Sequence, residues 1–277
     1  MNDRVTVNIE DGVADVRLVR ADKMNALDGA MFAALIETGE RLKTEPGVRA
    51  VVLSGEGRAF CAGLDMGNFQ SMASGERSGG QGTAGELLTP QRTAGGSNRA
   101  QHACMVWREI PVPVIAAVHG VAFGGGCQLA LGADMRLIAP DARMSVMEIK
   151  WGLVPDMAGM VLMRGLVRDD VARDLTYSGR IVTGEEAVAV GLATRVSPAP
   201  HAEALTLARE IAGRNPHAIR AGKRLLNLMS RADQHEILLE ESREQAALIG
   251  SPNQVEAVMA NLQKRDAVFV EVETAGA

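Results

Sequence analysis

Two glycine-bearing segments carry the strongest chemical signal in the chain. They are Phe60-Cys61-Ala62-Gly63-Leu64-Asp65 and His119-Gly120-Val121-Ala122-Phe123-Gly124-Gly125-Gly126-Cys127-Gln128. Each follows a run that reads as a buried strand, Ala50-Val51-Val52-Leu53 and Val114-Ile115-Ala116-Ala117-Val118. A strand that runs into glycines at the head of a helix presents backbone N–H groups. Two such devices can aim two donors at one oxygen, the requirement for an oxyanion hole. Taken singly, either run reads equally well as a tight turn. Glu148 follows the apparent strand Met144-Ser145-Val146-Met147. A carboxylate there is placed to be desolvated and to move protons; as an exposed strand-end residue it would do neither.

Four motifs in order resemble the crotonase (enoyl-CoA hydratase/isomerase) superfamily. Arg20-Ala21-Asp22-Lys23-Met24-Asn25-Ala26-Leu27 is similar to the family's R-x-x-x-x-N-A-L element. Arg58-Ala59-Phe60-Cys61-Ala62-Gly63-Leu64-Asp65 resembles its first oxyanion segment, and Gly124-Gly125-Gly126-Cys127 its second. Glu148, followed by Gly152-Leu153-Val154-Pro155, resembles its catalytic segment. The resemblance runs from about Val5 to the C-terminus and is specific because order and spacing agree together.

The resemblance implies an α/β fold, a ββα spiral core with a C-terminal all-helical oligomerisation segment. It implies that the backbone N–H groups of Leu64 and Gly125 polarise a thioester carbonyl, with Glu148 as the main acid/base. Substrate contacts fall at Arg20, Lys23, Ala26, Arg58, Ala62, Asp65, Gly124 and Gln128. Arg20, Lys23 and Arg58 are candidates for the phosphates of coenzyme A, with plain solvation as the alternative. Asp65 either caps the next helix or meets the CoA. No cofactor and no metal are implied, since the CoA thioester is the substrate.

Two departures bear on the reaction. The hydratase pattern has a second Glu two residues after the triple glycine, where this chain has Gln128. An amide can bind water but cannot exchange a proton with it; Gln128 also reads as an ordinary early helix residue. Asp156 lies eight residues after Glu148, where hydratases commonly have Gly. The family's dienoyl-CoA isomerases place a catalytic Asp at that offset, although they carry a further Asp at the position of Gln128. Asp156 reads either as a second proton carrier or as the N-cap of the next helix. Double-bond isomerisation of enoyl- or dienoyl-CoA therefore leads. Enoyl-CoA hydration is the near alternative, and a catalytically silent acyl-CoA-binding protein the distant one. Thioester hydrolases, decarboxylases and dehalogenases of the superfamily are not selected.

The elements that must position these residues are legible in outline. Residues 5–10 and 13–18 alternate about Asp11-Gly12 as a hairpin. Asp28 precedes a helix carrying Met31, Leu35 and Ile36 on one face. Helices are predicted at 100–107, from 125 and at 157–164, and strands at 136–138 and 143–146. Thr183-Gly184-Glu185-Glu186 and Ser251-Pro252-Asn253-Gln254 are capping boxes. Residues 71–98, rich in Gly, Ser, Thr and Gln, predict a lid or pocket wall. The core spans residues 1–200. Residues 201–277 are helical, at 201–214, 216–228, 233–248 and 252–264, and by the resemblance pack at homotrimer or dimer-of-trimers contacts.

The chain has 277 residues, 47% hydrophobic, with 3% aromatic residues and a net charge of −5. Its core must therefore be built from aliphatic side chains, and without a basic block nucleic-acid binding is a poor reading. Cys61, Cys104 and Cys127 lack C-x-x-C spacing and read as reduced thiols. The absence of a secretory or membrane-spanning pattern predicts a cytoplasmic protein. No P-loop or G-x-S-x-G motif is present, and the five histidines are scattered.

Overall fold

The computed structural model describes residues 3–68 and 91–272. Strands β1 (Val5–Glu10) and β2 (Val13–Leu18) form the expected antiparallel hairpin, with Val5 opposite Leu18 and Glu10 opposite Val13. Asp11 and Gly12 both adopt positive φ, the geometry that a two-residue hairpin turn requires. Helix α1 (Gly29–Thr44) follows, its first turn capped by Asp28 accepting from the Met31 N–H at 2.8 Å. Strand β3 (Ala50–Gly55) then joins β2 in parallel.

Helix α2 (Arg99–Glu109) begins at a full capping box, in which Asn98 and Gln101 exchange side-chain and backbone bonds. Strands β4 (Val114–Val118) and β5 (Val121–Phe123) lead into helix α3 (Gly125–Gly132), followed by β6 (Met135–Ile138) and β7 (Arg143–Ser145). Helices α4 (Gly159–Met163) and α5 (Asp169–Ser178), strand β8 (Val182–Thr183), helix α6 (Gly184–Ala189) and strand β9 (Arg195–Val196) complete this portion. One sheet has the order β1-β2-β3-β4-β6-β9, and a smaller one β5-β7-β8. Successive ββα units thus feed two sheets in turn. The chain spirals between them, as the alternating pattern predicted.

Period-two alternation divides the core. Val51, Leu53, Val114, Ala116 and Val118 face α1 and α2, where they pack with Met31, Leu35, Val106 and Trp107. Ala50, Val52, Ile115 and Ala117 face helix α7 (Pro200–Ala212) on the other side. Both faces are covered, so these strands read as continuous apolar runs rather than alternating ones. Ala204, Ala208 and Ala212 recur every four residues, and their small side chains seat α7 on the sheet. Helices α8 (Pro216–Met229), α9 (Gln234–Leu248) and α10 (Pro252–Gln263) follow.

Several expected boundaries shift. The helix predicted at 157–164 begins only at Gly159. Helix α5 was missed although Val171 and Leu175 are spaced four apart behind two N-terminal aspartates. Thr183 caps α6 through the Glu186 N–H, but the Glu186 carboxylate turns to Arg180 instead of closing the box. The predicted lid at 71–98 lies outside the described residues up to position 90. The remainder is a turn in which Ser97 N–H bonds Thr93 Oγ1 before α2.

One buried ion pair ties α8 to the sheet. Lys223, 6% exposed, donates to Asp134 Oδ2 at 2.7 Å and to the Val112 carbonyl at 2.8 Å. Asp134 Oδ2 also accepts from the Val114 N–H at the start of β4. Burial holds the Lys223 ammonium below its usual range despite this partner. Removing the partner of a buried charge is more harmful than never having had the pair. Asp134→Ala is expected to cost about 3 kcal/mol of stability, read as a lowered urea midpoint. Asp134→Ala combined with Lys223→Met should recover much of that loss.

Candidate active site

The first glycine segment is held from both sides. Phe60 N–H bonds the His119 carbonyl, Cys61 N–H bonds the Val121 carbonyl, and Phe123 N–H returns to the Cys61 carbonyl at 3.1 Å. On the opposite edge, Ala62 N–H bonds the Met24 carbonyl, Leu27 N–H bonds the Gly63 carbonyl at 2.8 Å, and Asp65 N–H bonds the Leu27 carbonyl. Met24 and Asn25 adopt left-handed backbone, φ 52° and 55°, to make this turn. Asn25 is fully buried, and its amide nitrogen donates to the Ala59 and Glu56 carbonyls at 2.9 and 3.0 Å. The asparagine tolerates the left-handed conformation and clamps the loop entering the segment.

This clamping sets two N–H groups beside each other. Gly63, at φ 89°, lies against β5; a Cβ there would stand 2.5 Å from the Phe123 carbonyl oxygen. The same Cβ would be 3.6 Å from the Gly125 nitrogen, so the two glycine segments touch. The Leu64 and Gly125 N–H groups have no backbone acceptor among the described residues. Gly125 opens α3, where helix geometry supplies no carbonyl for its N–H. Both residues line one cavity of about 940 Å³.

Arg20, Lys23, Ala26, Ala62, Asp65 and Gly124 line the same cavity, as do Glu148 and Asp156. Arg20 is already engaged, donating to Asp65 Oδ2 at 2.6 Å and to the Ala26 carbonyl at 3.0 Å. Asp65 also accepts from the Gly67 N–H, the local capping contact foreseen for it. Two of the candidate residues lie outside this lining. Arg58 is exposed and does not line the cavity; it sits on the outer turn before Ala59, whose backbone packs against Gly120. Gln128 does not line it either, because all of its amide oxygen bonding is spent inside the protein.

Gln128 is 1% exposed. Its Oε1 accepts from the Met157 and Gly159 N–H groups at 2.9 and 2.8 Å, and its Nε2 donates to Glu148 Oε1 at 2.6 Å. Gly159 makes this possible: a Cβ there would stand 2.7 Å from Gln128 Oε1. Asp156 therefore does not cap α4. The flanking residue of that helix is Ala158, which offers no side-chain cap, and Gln128 satisfies the Gly159 N–H instead.

Glu148 begins a 3-10 turn (Glu148–Trp151) and is 8% exposed. Burial pushes its carboxyl above the usual range; the Gln128 bond offsets part of this and nearby Asp156 adds to it. Asp156 is an exposed residue that lines the cavity, and desolvation likewise raises its carboxyl. Two carboxyl groups with raised proton affinity therefore share one cavity with two N–H donors. The sequence missed Arg143 and Lys150, which also line it. The Arg143 guanidinium lies 6.0 Å from the Phe123 ring centroid and the Lys150 ammonium 5.5 Å from that of Trp151. Only the pairing of β5 with β7 could have brought Arg143 here.

A family model described as enoyl-CoA hydratase/isomerase matches residues 8–272. The chain belongs to this family. It is 30% identical to the mouse mitochondrial methylglutaconyl-CoA hydratase over 261 residues, covering 92% of this chain and 78% of that protein. It is 29% identical to the mouse mitochondrial Delta(3,5)-Delta(2,4)-dienoyl-CoA isomerase over 272 residues, covering 92% and 77%. Among solved structures it resembles an enoyl-CoA hydratase from Mycobacterium smegmatis with a TM-score of 0.82 and 29% identity, covering 96% and 98% of the two chains. The neighbours have the crotonase fold, which is the fold of this chain.

Other reactive groups lie apart. Cys61, Cys104 and Cys127 are free and buried, with Cys61 and Cys127 pushed up to about 12 by burial, so none is a ready nucleophile. Glu40, His102 and Glu109 bring ligand atoms within 4.8 Å of one another, a cluster not foreseen from their spacing. Lys43 fills it, bonding Glu40 at 2.8 Å and Glu109 at 2.6 Å. Among the described residues no helix is long and apolar enough to cross a membrane.

The raised carboxyls have a stability consequence. Glu148 and Asp156 bind protons more tightly in the folded than in the unfolded chain, so stability falls as pH rises from the unfolded carboxylate range through their raised folded values. The Glu148→Gln, Asp156→Asn double variant is expected to exceed the parent in unfolding free energy at neutral pH. The difference should close below pH about 3.5. Urea titrations across that range read it directly.

Proposed function

We propose that this enzyme moves a double bond in an acyl-CoA thioester, acting on enoyl- or dienoyl-CoA. The thioester oxygen sits between the Leu64 and Gly125 N–H groups, which stabilise the enolate as it forms. Glu148 takes the proton from the carbon next to the carbonyl. Its Oε1 would be only 3.3 Å from a Cβ on Gly124, so it stands beside the oxyanion donors. Asp156, whose proton affinity is raised by desolvation, returns a proton farther along the chain. The acid and base then have exchanged states and must re-equilibrate before the next turnover. Arg20 and Lys23 lie where the phosphates or adenosine of the CoA pass, and Ala26 and Ala62 offer backbone contacts.

The observation that carries this reading is the pairing of Glu148 and Asp156 in one cavity while Gln128 is turned into the protein. A bound water would have one carboxylate beside it rather than two flanking ones. Hydration of 2-enoyl-CoA by Glu148 is the second reading, favoured by the names of the relatives, most of which are hydratases. The homotrimer or dimer of trimers belongs to this reading too. Leu226, Met229, Leu238 and Leu262 on α8 to α10, with Ile249 just after α9, are exposed apolar side chains that a second copy would cover.

Separate incubations with 3,5-dienoyl-CoA, 3-enoyl-CoA and 2-enoyl-CoA test the choice by mass and absorbance. Isomerisation at constant mass is expected, with Glu148→Gln lowering kcat by about 10²- to 10⁴-fold. Asp156→Asn should abolish conversion of the 3,5-diene. Rapid gain of one water by the 2-enoyl substrate would establish the hydratase reading instead. Light scattering coupled to size exclusion reads the assembly, and a monomer would remove the trimer from the reading.

A further inference from the structure

Gln128 stands at the centre of a three-bond arrangement that substrate contact does not explain. It touches both halves of the acid/base pair, Glu148 directly and Asp156 through the backbone of the turn that carries it. The orientation of its amide is dictated by that turn. Two backbone N–H groups, from Met157 and Gly159, converge on one end of the amide, and only the oxygen can accept from both. A flipped amide would set its NH₂ against two donors. The nitrogen therefore faces Glu148 and presents an N–H to Oε1 whatever the protonation state of that carboxyl.

A consequence follows for the proton. Oε1 of Glu148 is a hydrogen-bond acceptor in both states, so a proton on Glu148 cannot reside between Oε1 and Gln128. Oε2 is buried and has no hydrogen-bond partner among the described residues. We propose that Gln128 is a positioning residue that locks Glu148 and the Asp156 turn into one unit and assigns the shuttled proton to Oε2 of Glu148. This rests on the reading of Glu148 as the acid/base. It explains why an uncharged amide stands here: a carboxylate at 128 would still accept from the turn, but would set a second negative oxygen against Glu148 Oε1. The two would then be forced to share a proton.

The test uses Glu148's own titration, which does not depend on turnover. The carboxylic C=O stretch lost in Glu148→Gln identifies the Glu148 band in infrared difference spectra, and its midpoint can be followed with pH. Gln128→Glu keeps the acceptor for the Met157 and Gly159 N–H groups and loses the donor to Glu148. Gln128→Met loses both. The Glu148 midpoint is expected to rise by about one pH unit in Gln128→Met and further in Gln128→Glu. The acid limb of the pH–kcat profile should move with it. For Gln128→Met, kcat should fall at least about 10-fold while KM changes less than about 2-fold, because the thioester contacts are untouched.

A Glu148 midpoint within about 0.2 units of the parent in both variants overturns the proposal. So does a rise in KM matching the fall in kcat, which would return Gln128 to substrate binding. If Gln128→Met does not fold, the near-isosteric Gln128→Glu carries the titration alone. Failure of the functional reading shows separately, as undiminished turnover in Glu148→Gln, and leaves the infrared shift to be read by itself.

Discussion

The site depends on a short length of backbone, residues 59–65, pinned along both edges. On one side it bonds to residues 119–123 and on the other to residues 24–27. A pair of backbone N–H donors has no side chain to adjust it, so its precision equals that of the chain positions that carry it. Here the donors come from two segments about sixty residues apart in sequence. Their contact at Gly63 and the Phe123 carbonyl leaves no room for a Cβ. The buried amide of Asn25 reinforces the same joint, spending its two N–H groups on the loop that enters it.

Around this joint the protein accepts a cost in stability. Glu148 is buried with no cation acting on it among the described residues, and Asp156 lines the cavity. A core built for stability alone would place an apolar group at position 148. Desolvation is also what brings a carboxyl into a range where it can both take and give a proton. The buried Lys223–Asp134 pair differs in kind: each charge has its partner, and the arrangement fastens a helix to the sheet. The same physical quantity, charge burial, thus raises proton affinity in one place and secures attachment in another.

The core was readable because its strands are covered on both faces. Runs such as residues 50–53 and 114–118 are uninterruptedly apolar, and Asp28 and Ser251 mark helix starts that the structure has. Strands β5, β8 and β9 were not legible, since two or three residues hold too little periodicity to separate from a loop. Helix α5 buries little beyond Leu175 and so lacks a wide apolar stripe. The exposed place of Arg58 and the inward turn of Gln128 escaped the motif for one reason. A motif fixes the backbone path, while the direction of a polar side chain is settled by which groups it finds unpaired nearby.

The sequence by itself determined the glycine segments, the strands that lead into them and the single carboxylate at 148, because steric permission and hydrophobic alternation are local. It also carried the family, through the order of four motifs. Only the tertiary structure decided that Gln128 braces Glu148 rather than meeting water, that Asp156 caps no helix, and that Arg143 reaches the cavity wall. Each of these depends on hydrogen-bond donors or strand partners between 20 and 31 residues away. A buried polar group takes whatever partner the fold delivers, and that delivery is a property of packing rather than of spacing along the chain.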